Sequence, residues 1–325
     1  MSTIRRLNCF DRPKIKKMIS YLGGDNDFSK ALMREAFVML SALLPLKYRV
    51  LPESYILLDE GEIQGLITIV PTYGNPYKIN ITRLIFRQNF YEVGKQLIEF
   101  VIARFGALGA TSFNVMVDES HEELVELFRS GCGFRQCSCE CLWKLENTKS
   151  EKRNPHLFRY CQNSDAKSVS RLFNGELVSL YRPSLDRTKE EYQEPTFAGF
   201  ASAYKNRYVM EEPAKARIIA YLSITTEDNV NFIIDLSTND GYDISYDDIL
   251  DFALSEISRR KSVFYAFVKQ KKYTKTSEQL ENYLRSKNAD LIQTQLVLVK
   301  DFYRPVKQSE SILQVFLFGN QRVST

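Results

Sequence analysis

The chain has 325 residues, 44% of them hydrophobic and 26% charged, with 44 basic against 40 acidic side chains and a net charge of +4. That length suits two domains of about 150 residues, and so small a basic excess does not by itself argue for a nucleic-acid partner. No run of about 18 uncharged apolar residues occurs and the N-terminal MSTIRRLNCFDRPKIKK has no apolar core. Neither a membrane span nor a signal peptide is therefore expected, which places the protein in the cytoplasm.

In chain order, FDRPKIKKMISYL and SKALMREAFVMLSALLP read as helices. YILLDEGEIQGLITIVP reads as a hairpin turning at Asp59–Glu62, and YKINITRLIF as a strand. In GKQLIEFVIARFGALGA, Leu97, Ile98, Val101 and Phe105 fall on one side of a helix. TSFNVMV is a buried strand. DESHEELVELFRSGCGF is a short helix, with Leu124, Leu127 and Phe128 at helical spacing and Gly131 or Gly133 able to supply a left-handed stop. The stretch GCGFRQCSCECLWKL holds four of the six cysteines. Cys137, Cys139 and Cys141 alternate with Gln136, Ser138 and Glu140, so the period predicts a strand with all three thiols on one face. Same-face neighbours on a strand are about 7 Å apart, whereas zinc needs its sulfurs about 2.3 Å from the metal. The expected reading is a core-facing strand and no metal site.

The second half repeats the pattern. LFRYCQNSDAKSVSRLFNG parallels IRRLNCFDRPKIKKMISYL. KARIIAYLSI, NVNFIIDLST, SVFYAFVKQ and ADLIQTQLVLVKDF read as strands, while SYDDILDFALSEISRR, with Ser245 as N-cap, and TSEQLENYLRSK read as helices. The polar linker ENTKSEKRNPH divides the repeats into domains over 1–147 and 154–325, each expected to hold its own mixed α/β sheet. The tail ESILQVFLFGNQ, apolar on both faces, predicts a buried strand.

The element order, with RLIF…VGKQLI, FNVMV and ELFRSGCGF followed by CLWKL, resembles the GNAT N-acetyltransferase superfamily in tandem, duplicated form. The resemblance implies acetyl-CoA as co-substrate and transfer of its acetyl group to a small-molecule or peptide amine. In the family, a Q/R-x-x-G-x-G/A loop and the following helix N-terminus hold the pyrophosphate through unpaired amides and the helix dipole. Here Gly94 falls on the last glycine, Glu92 on the first, and Asn89 on the Gln/Arg position; a second alignment puts Gly94 on the first glycine and Tyr91 on the Gln/Arg position. The resemblance thus implies a coenzyme site at Leu84, Ile85, Phe86, Asn89, Val93, Gly94 and Lys95. The second half has no such glycines. Asp240, Asp243, Asp247 and Asp248 stand there instead, and that half is expected not to hold the coenzyme.

Acetyl transfer to an amine needs a group to take the proton and one to protonate the thiolate. The family's tyrosine falls on Phe128 in the first half and on Tyr283 in the second. Glu62 and Asp118 are further candidates from the residues themselves, and His121 falls on a position where the family often has asparagine. A chain that has lost catalysis and serves as a binding or scaffold module is the alternative reading. FVKQKKYTK sets Tyr265, Phe267 and Tyr273 among lysines in a manner that can track single-stranded nucleic acid, but solvated lysines at a strand end are far commoner and nucleic acid is not expected.

Overall fold

The computed structural model describes residues 2–21, 52–72, 75–146, 157–193, 204–212, 217–226 and 228–302. The helix expected over 29–45, most of the linker and the apolar tail lie outside them. The first half runs β1 (Thr3–Arg6), α1 (Arg12–Tyr21), β2 (Glu53–Asp59), β3 (Glu62–Thr72), β4 (Asn75–Phe86), α2 (Phe90–Ala107), β5 (Ser112–Asp118), α3 (Glu122–Glu126, continued by a wider turn over Leu127–Gly131) and β6 (Arg135–Lys144). The second half runs β7 (Arg159–Tyr160), α4 (Ala166–Glu176), α5 (Arg182–Leu185), β8 (Tyr204–Glu212), β9 (Arg217–Thr226), β10 (Asn231–Thr238), α6 (Tyr246–Arg260), β11 (Tyr265–Lys271), α7 (Ser277–Ser286) and β12 (Asp290–Asp301). Among the described residues no helix is long and apolar enough to cross a membrane.

The duplication extends to single side chains. Arg5 forks onto both oxygens of Asp11 at 2.7 and 2.6 Å, and Arg159 onto Asp165 at 2.7 and 3.0 Å. Each carboxylate also accepts from a backbone amide, Asn8 at 3.0 Å and Gln162 at 2.8 Å. These three bonds to each carboxylate pin the entry of α1 and α4 in the same way.

The two halves do not form separate sheets. Twelve strands make one sheet in the order β1-β2-β3-β4-β5-β12-β6-β11-β10-β9-β8-β7. β12 lies antiparallel between β5 and β6, and β6 antiparallel between β12 and β11. Each half lends its last strand to the seam, a correction to the expectation of two sheets. The physical reason is burial on both faces. Leu296 and Leu298 of β12 enter the first half's core under α2, while Val297 and Val299 enter the second half's core under α4. Such a strand belongs in a sheet interior. β6 reciprocates, placing Cys141, Trp143 and the following Leu145 in the core beneath α6 and α7. The Trp143 indole donates to Gln270 Oε1 at 2.9 Å, and the Gln270 amide donates to Ser277 O at 2.9 Å. This buried polar pair is thereby satisfied.

The cysteine strand forms as expected, but the three thiols do not share a face. β12 Val297 opposes Ser138 and Leu298 opposes Gln136, so Cys137 is an extra residue in a bulge. The bulge turns Cys137 into the α4-side core, while Cys139 packs in the α2-side core. Burial pushes the Cys137 and Cys132 thiols up, the latter to about 11. No cluster of metal-ligating side chains occurs among the described residues.

Candidate active site

β4 carries a second bulge. Thr68 of β3 opposes Arg83 and Ile69 opposes Ile81, leaving Thr82 as the extra residue. The parallel pairing of β4 with β5 runs from Lys78–Ser112 to Ile81–Val115 and stops there. Beyond that point β4 follows β3 as far as Gly65–Phe86, while β5 follows β12 as far as Asp118–Gln295. A bulge bends and twists its strand, and here it steers β4 away from β5 and opens a gap. Leu84 and Phe86, half-buried, pack from β4 toward the α2-side core, whereas Ile85 packs toward α1.

The gap leads to the start of α2. Asn89 takes a left-handed conformation (φ 50°) and makes no side-chain cap, and its carbonyl accepts from Val93 N at 3.0 Å. The amides of Phe90, Tyr91 and Glu92 precede the first intrahelical donor and have no partner within the helix. That is the ordinary setting for an anion. Glu92 is exposed in the same turn; Lys95 is half-buried one turn on and lies 4.0 Å from Glu99. Val93 and Gly94 are buried. A Cβ on Gly94 would stand 2.6 Å from Leu127 Cδ2, so this glycine lets the turn after α3 approach α2. Its amide lies inside the helix and is not among the free ones. Gly65 of β3 does the same for the other side of α2, where a Cβ would meet Val93 Cγ1 at 2.5 Å.

The candidate proton-transfer groups scatter. Glu62, at the β2–β3 turn, is ion-paired with Lys17 at 3.1 Å and Arg87 at 3.6 Å. The Lys17 ammonium holds its carboxyl below the usual range, the setting of a structural ion pair and a poor one for a general base. Asp118 is likewise held low, by bonds from the Ser120 hydroxyl and amide and from Gln293 at 2.6 Å. His121 is exposed at the start of α3, where its carbonyl accepts from Leu124 N and Val125 N and its ring makes no cap bond. Phe128 is buried against Phe134 with ring centres 5.1 Å apart. Tyr283 is not brought to Leu84–Lys95: it lies on α7, stacked at 5.4 Å on Tyr246, and its hydroxyl donates to Asp247 Oδ1 at 2.7 Å. Burial and Asp247 together push the Tyr283 phenol up.

The second half's equivalent gap is filled. β10 pairs with β11 only as far as Asp235–Lys269, yet β9 and β10 stay in register to Thr238–Ala220 with no bulge. Lys271 sits in the opening, 4% exposed, its ammonium 2.9 Å from both Asp235 Oδ1 and Ser237 Oγ. Glu140 of β6 accepts from the Tyr273 hydroxyl at 2.5 Å and pairs with Lys269 at 3.0 Å. Burial alone would raise the Asp235 carboxyl, but Lys271, Lys269 and Arg187 outweigh it and bring it to about 2. At the start of α6, Ser245 caps the helix by accepting from Asp248 N at 3.2 Å, and Asp247 binds Lys287 at 2.6 Å. Carboxylates thus stand where a diphosphate would lie. The basic–aromatic stretch is also accounted for: Lys269, Lys271, Lys272 and Lys275 pair with Glu140, Asp235, Glu281 and Asp240, and Tyr273 is buried. Sequence reasoning missed this network, whose partners are far apart in the chain, and the bulge at Thr82.

No protein-family model matches the sequence, and no curated protein matches it. Solved structures do resemble the fold. A tandem GNAT protein from the clavulanic acid biosynthesis pathway superposes with a TM-score of 0.62 at 10% identity, over 94% of this chain and 100% of the other. A GCN5-related N-acetyltransferase from Sphaerobacter thermophilus gives 0.58 at 10% identity, over 94% and 97%. One from Anabaena variabilis gives 0.51 at 12%, over 93% and 73%. The chain has the tandem GNAT fold.

Proposed function

We propose that the protein is an acetyl-CoA-dependent N-acetyltransferase whose coenzyme site lies in the first half. The observation that carries this reading is the bulge at Thr82, coincident with the end of β4–β5 pairing. Beyond it the inner edge of β4 is free to bond an extended pantetheine arm as an added strand would. The free amides of Phe90 to Glu92 take the diphosphate, and Leu84 and Phe86 exclude water from the arm. The amine attacks the thioester carbonyl, a C–N bond forms, and the C–S bond breaks. A β4 amide beside the bulge steadies the carbonyl oxygen as it gains charge. The attacking amine gives up its proton to water and, since Phe128 has no proton to give, the thiolate takes one from water in turn. The Glu92 carboxylate opposes the diphosphate by about 1–3 kcal/mol at an effective dielectric near 20, and Lys95 offsets part of that. The fold of the neighbours supports this reading, and the acceptor amine is a small molecule or a peptide N-terminus.

Acetyl-CoA at about 100 times its dissociation constant should stabilise the chain by about 2.7 kcal/mol, a melting shift on the order of 5 °C. Deleting Thr82 removes the bulge and should abolish the shift, and an amine panel followed by thiol release should find the acceptor. No shift with acetyl or longer acyl coenzymes would reject the reading.

A further inference from the structure

A groove of about 500 Å³ opens on the second half between α4, the start of β9 and the end of β10. Its lining includes Arg171, Gly175 and Glu176 of α4, Arg217 of β9, and Asn239 and Asp240 after β10. That volume falls within the range of about 300–1,000 Å³ typical of small-molecule sites. Glu176 is only 3% exposed. Its Oε1 accepts from the Thr276 hydroxyl, while Oε2 has no hydrogen-bond partner among the described residues. Burial raises its carboxyl, and the Lys271 ammonium, Ser237 and the Thr238 amide lie near enough to favour its charge, but none of them makes a bond of good geometry to that oxygen. A buried carboxylate oxygen left unmatched is costly, and a cationic donor is what completes it. Arg171 and Arg217, on two different elements, are exposed and have no acidic partner among the described residues. Asp240, by contrast, is engaged with Lys275 at 3.2 Å.

We propose that this groove binds a small amino-acid-like zwitterion, its ammonium held by Glu176 and its carboxylate by Arg171 and Arg217. The opposed charges at floor and rim fit one molecule carrying both groups, and guanidinium forks suit a carboxylate. The gap beside the groove is filled by Lys271, Asp235 and Ser237, so the ligand is bound there and not acetylated. The residue 154 positions before Glu176, the offset that relates Arg159 to Arg5, is Leu22. The carboxylate is therefore particular to the second half. The proposal does not rest on coenzyme binding in the first half.

Titration calorimetry of the full chain against the proteinogenic amino acids tests it. At least one should bind, and its N-acetyl and carboxamide forms should each bind at least about tenfold more weakly. Glu176→Gln, Arg171→Ala and Arg217→Ala should each weaken binding by about tenfold or more. Absence of binding to any of them up to about 10 mM would overturn the proposal. Loss only in Glu176→Gln would leave a cation site, and loss only in the arginine variants an anion site; either result overturns it. Should Glu176→Gln fail to fold, the surface arginine variants and the two blocked ligand forms still decide.

Discussion

The two β-sheet gaps, at Ile81–Val115 and at Asp235–Lys269, are the same feature of a duplicated fold put to opposite uses. In the first half a bulge bends β4 away, and the opening is lined by Leu84 and Phe86 beside amides that have no partner within their helix. In the second half β10 has no bulge, and the opening holds an ammonium bonded to a carboxylate and a hydroxyl. A gap lined by apolar side chains can accept an extended ligand. A gap already occupied by a matched ion pair cannot accept one without leaving charges unpaired in the interior. Identical topology thus yields one gap with an apolar lining and one filled by charge, and the difference lies in a one-residue insertion and a single lysine.

The largest expected effect tests whether the halves are separable at all. Since β12 completes the first half and β6 the second, residues 1–147 or 154–325 expressed alone should fail to give a stable monomer. Mixing the two should restore the circular-dichroism spectrum and a single melting transition. Two independent transitions in the full chain would contradict the exchanged seam. Next, Lys271→Met removes the buried cation and leaves Asp235 and Glu176 with less compensation; urea unfolding should show a loss of about 3–5 kcal/mol. Lys78→Met, at the other half's strand, should cost less, because that ammonium's nearest bond is to a backbone carbonyl, Asp186 O at 3.1 Å.

Smaller effects sharpen the comparison. Gly94→Ala drives a Cβ into Leu127 and should destabilise the chain by about 1–3 kcal/mol, and in combination with Leu127→Ala the cost should be less than the sum of the two changes made singly. If Gly94→Ala is neutral, the glycine is not there for packing. The smallest effect concerns the duplicated pins. The Arg159 side chain bonds Asp165 and holds its carboxyl below the usual range. A carboxyl lowered on folding stabilises above its unfolded value, near pH 4, and loses that contribution as pH falls through the folded value. Asp165→Asn should therefore cost under about 1 kcal/mol at neutral pH, since Arg159 remains 41% exposed. The wild-type advantage should fade in denaturation curves taken below pH 4. Asp11→Asn should behave alike; a pH-independent deficit in either would disqualify the ion pair as its source.

Most elements were legible because their signals are local. The face of Leu97, Ile98, Val101 and Phe105 is buried as its spacing requires, and Ser245 caps α6. The β2–β3 turn sits at Asp59–Glu62, with Glu60 and Gly61 at positive φ. Of the candidate site, the strand end at Leu84–Phe86 and the start of α2 do meet, since adjacency along the chain forces them together. The proton-transfer candidates do not: Glu62 and Asp118 follow from residue type, and His121 and Tyr283 from their places in the resemblance, and neither ground says anything of the bonds that surround them.

By itself the sequence determined the order of strands and helices, the duplication, and the two helix starts that face the gaps. Periodicity, caps and turn residues act over a few positions and are readable one segment at a time. The tertiary structure alone decided which strands neighbour which, where a bulge turns a side chain to the other face, and which gap is filled. Those outcomes depend on partners distant in the chain. Lys271 meets Asp235 across 36 residues, Thr276 meets Glu176 across 100, and Tyr273 meets Glu140 across 133. Burial on both faces drew β6 and β12 into the middle of a shared sheet, and that placement set Glu140 of the first half among the charges of the second.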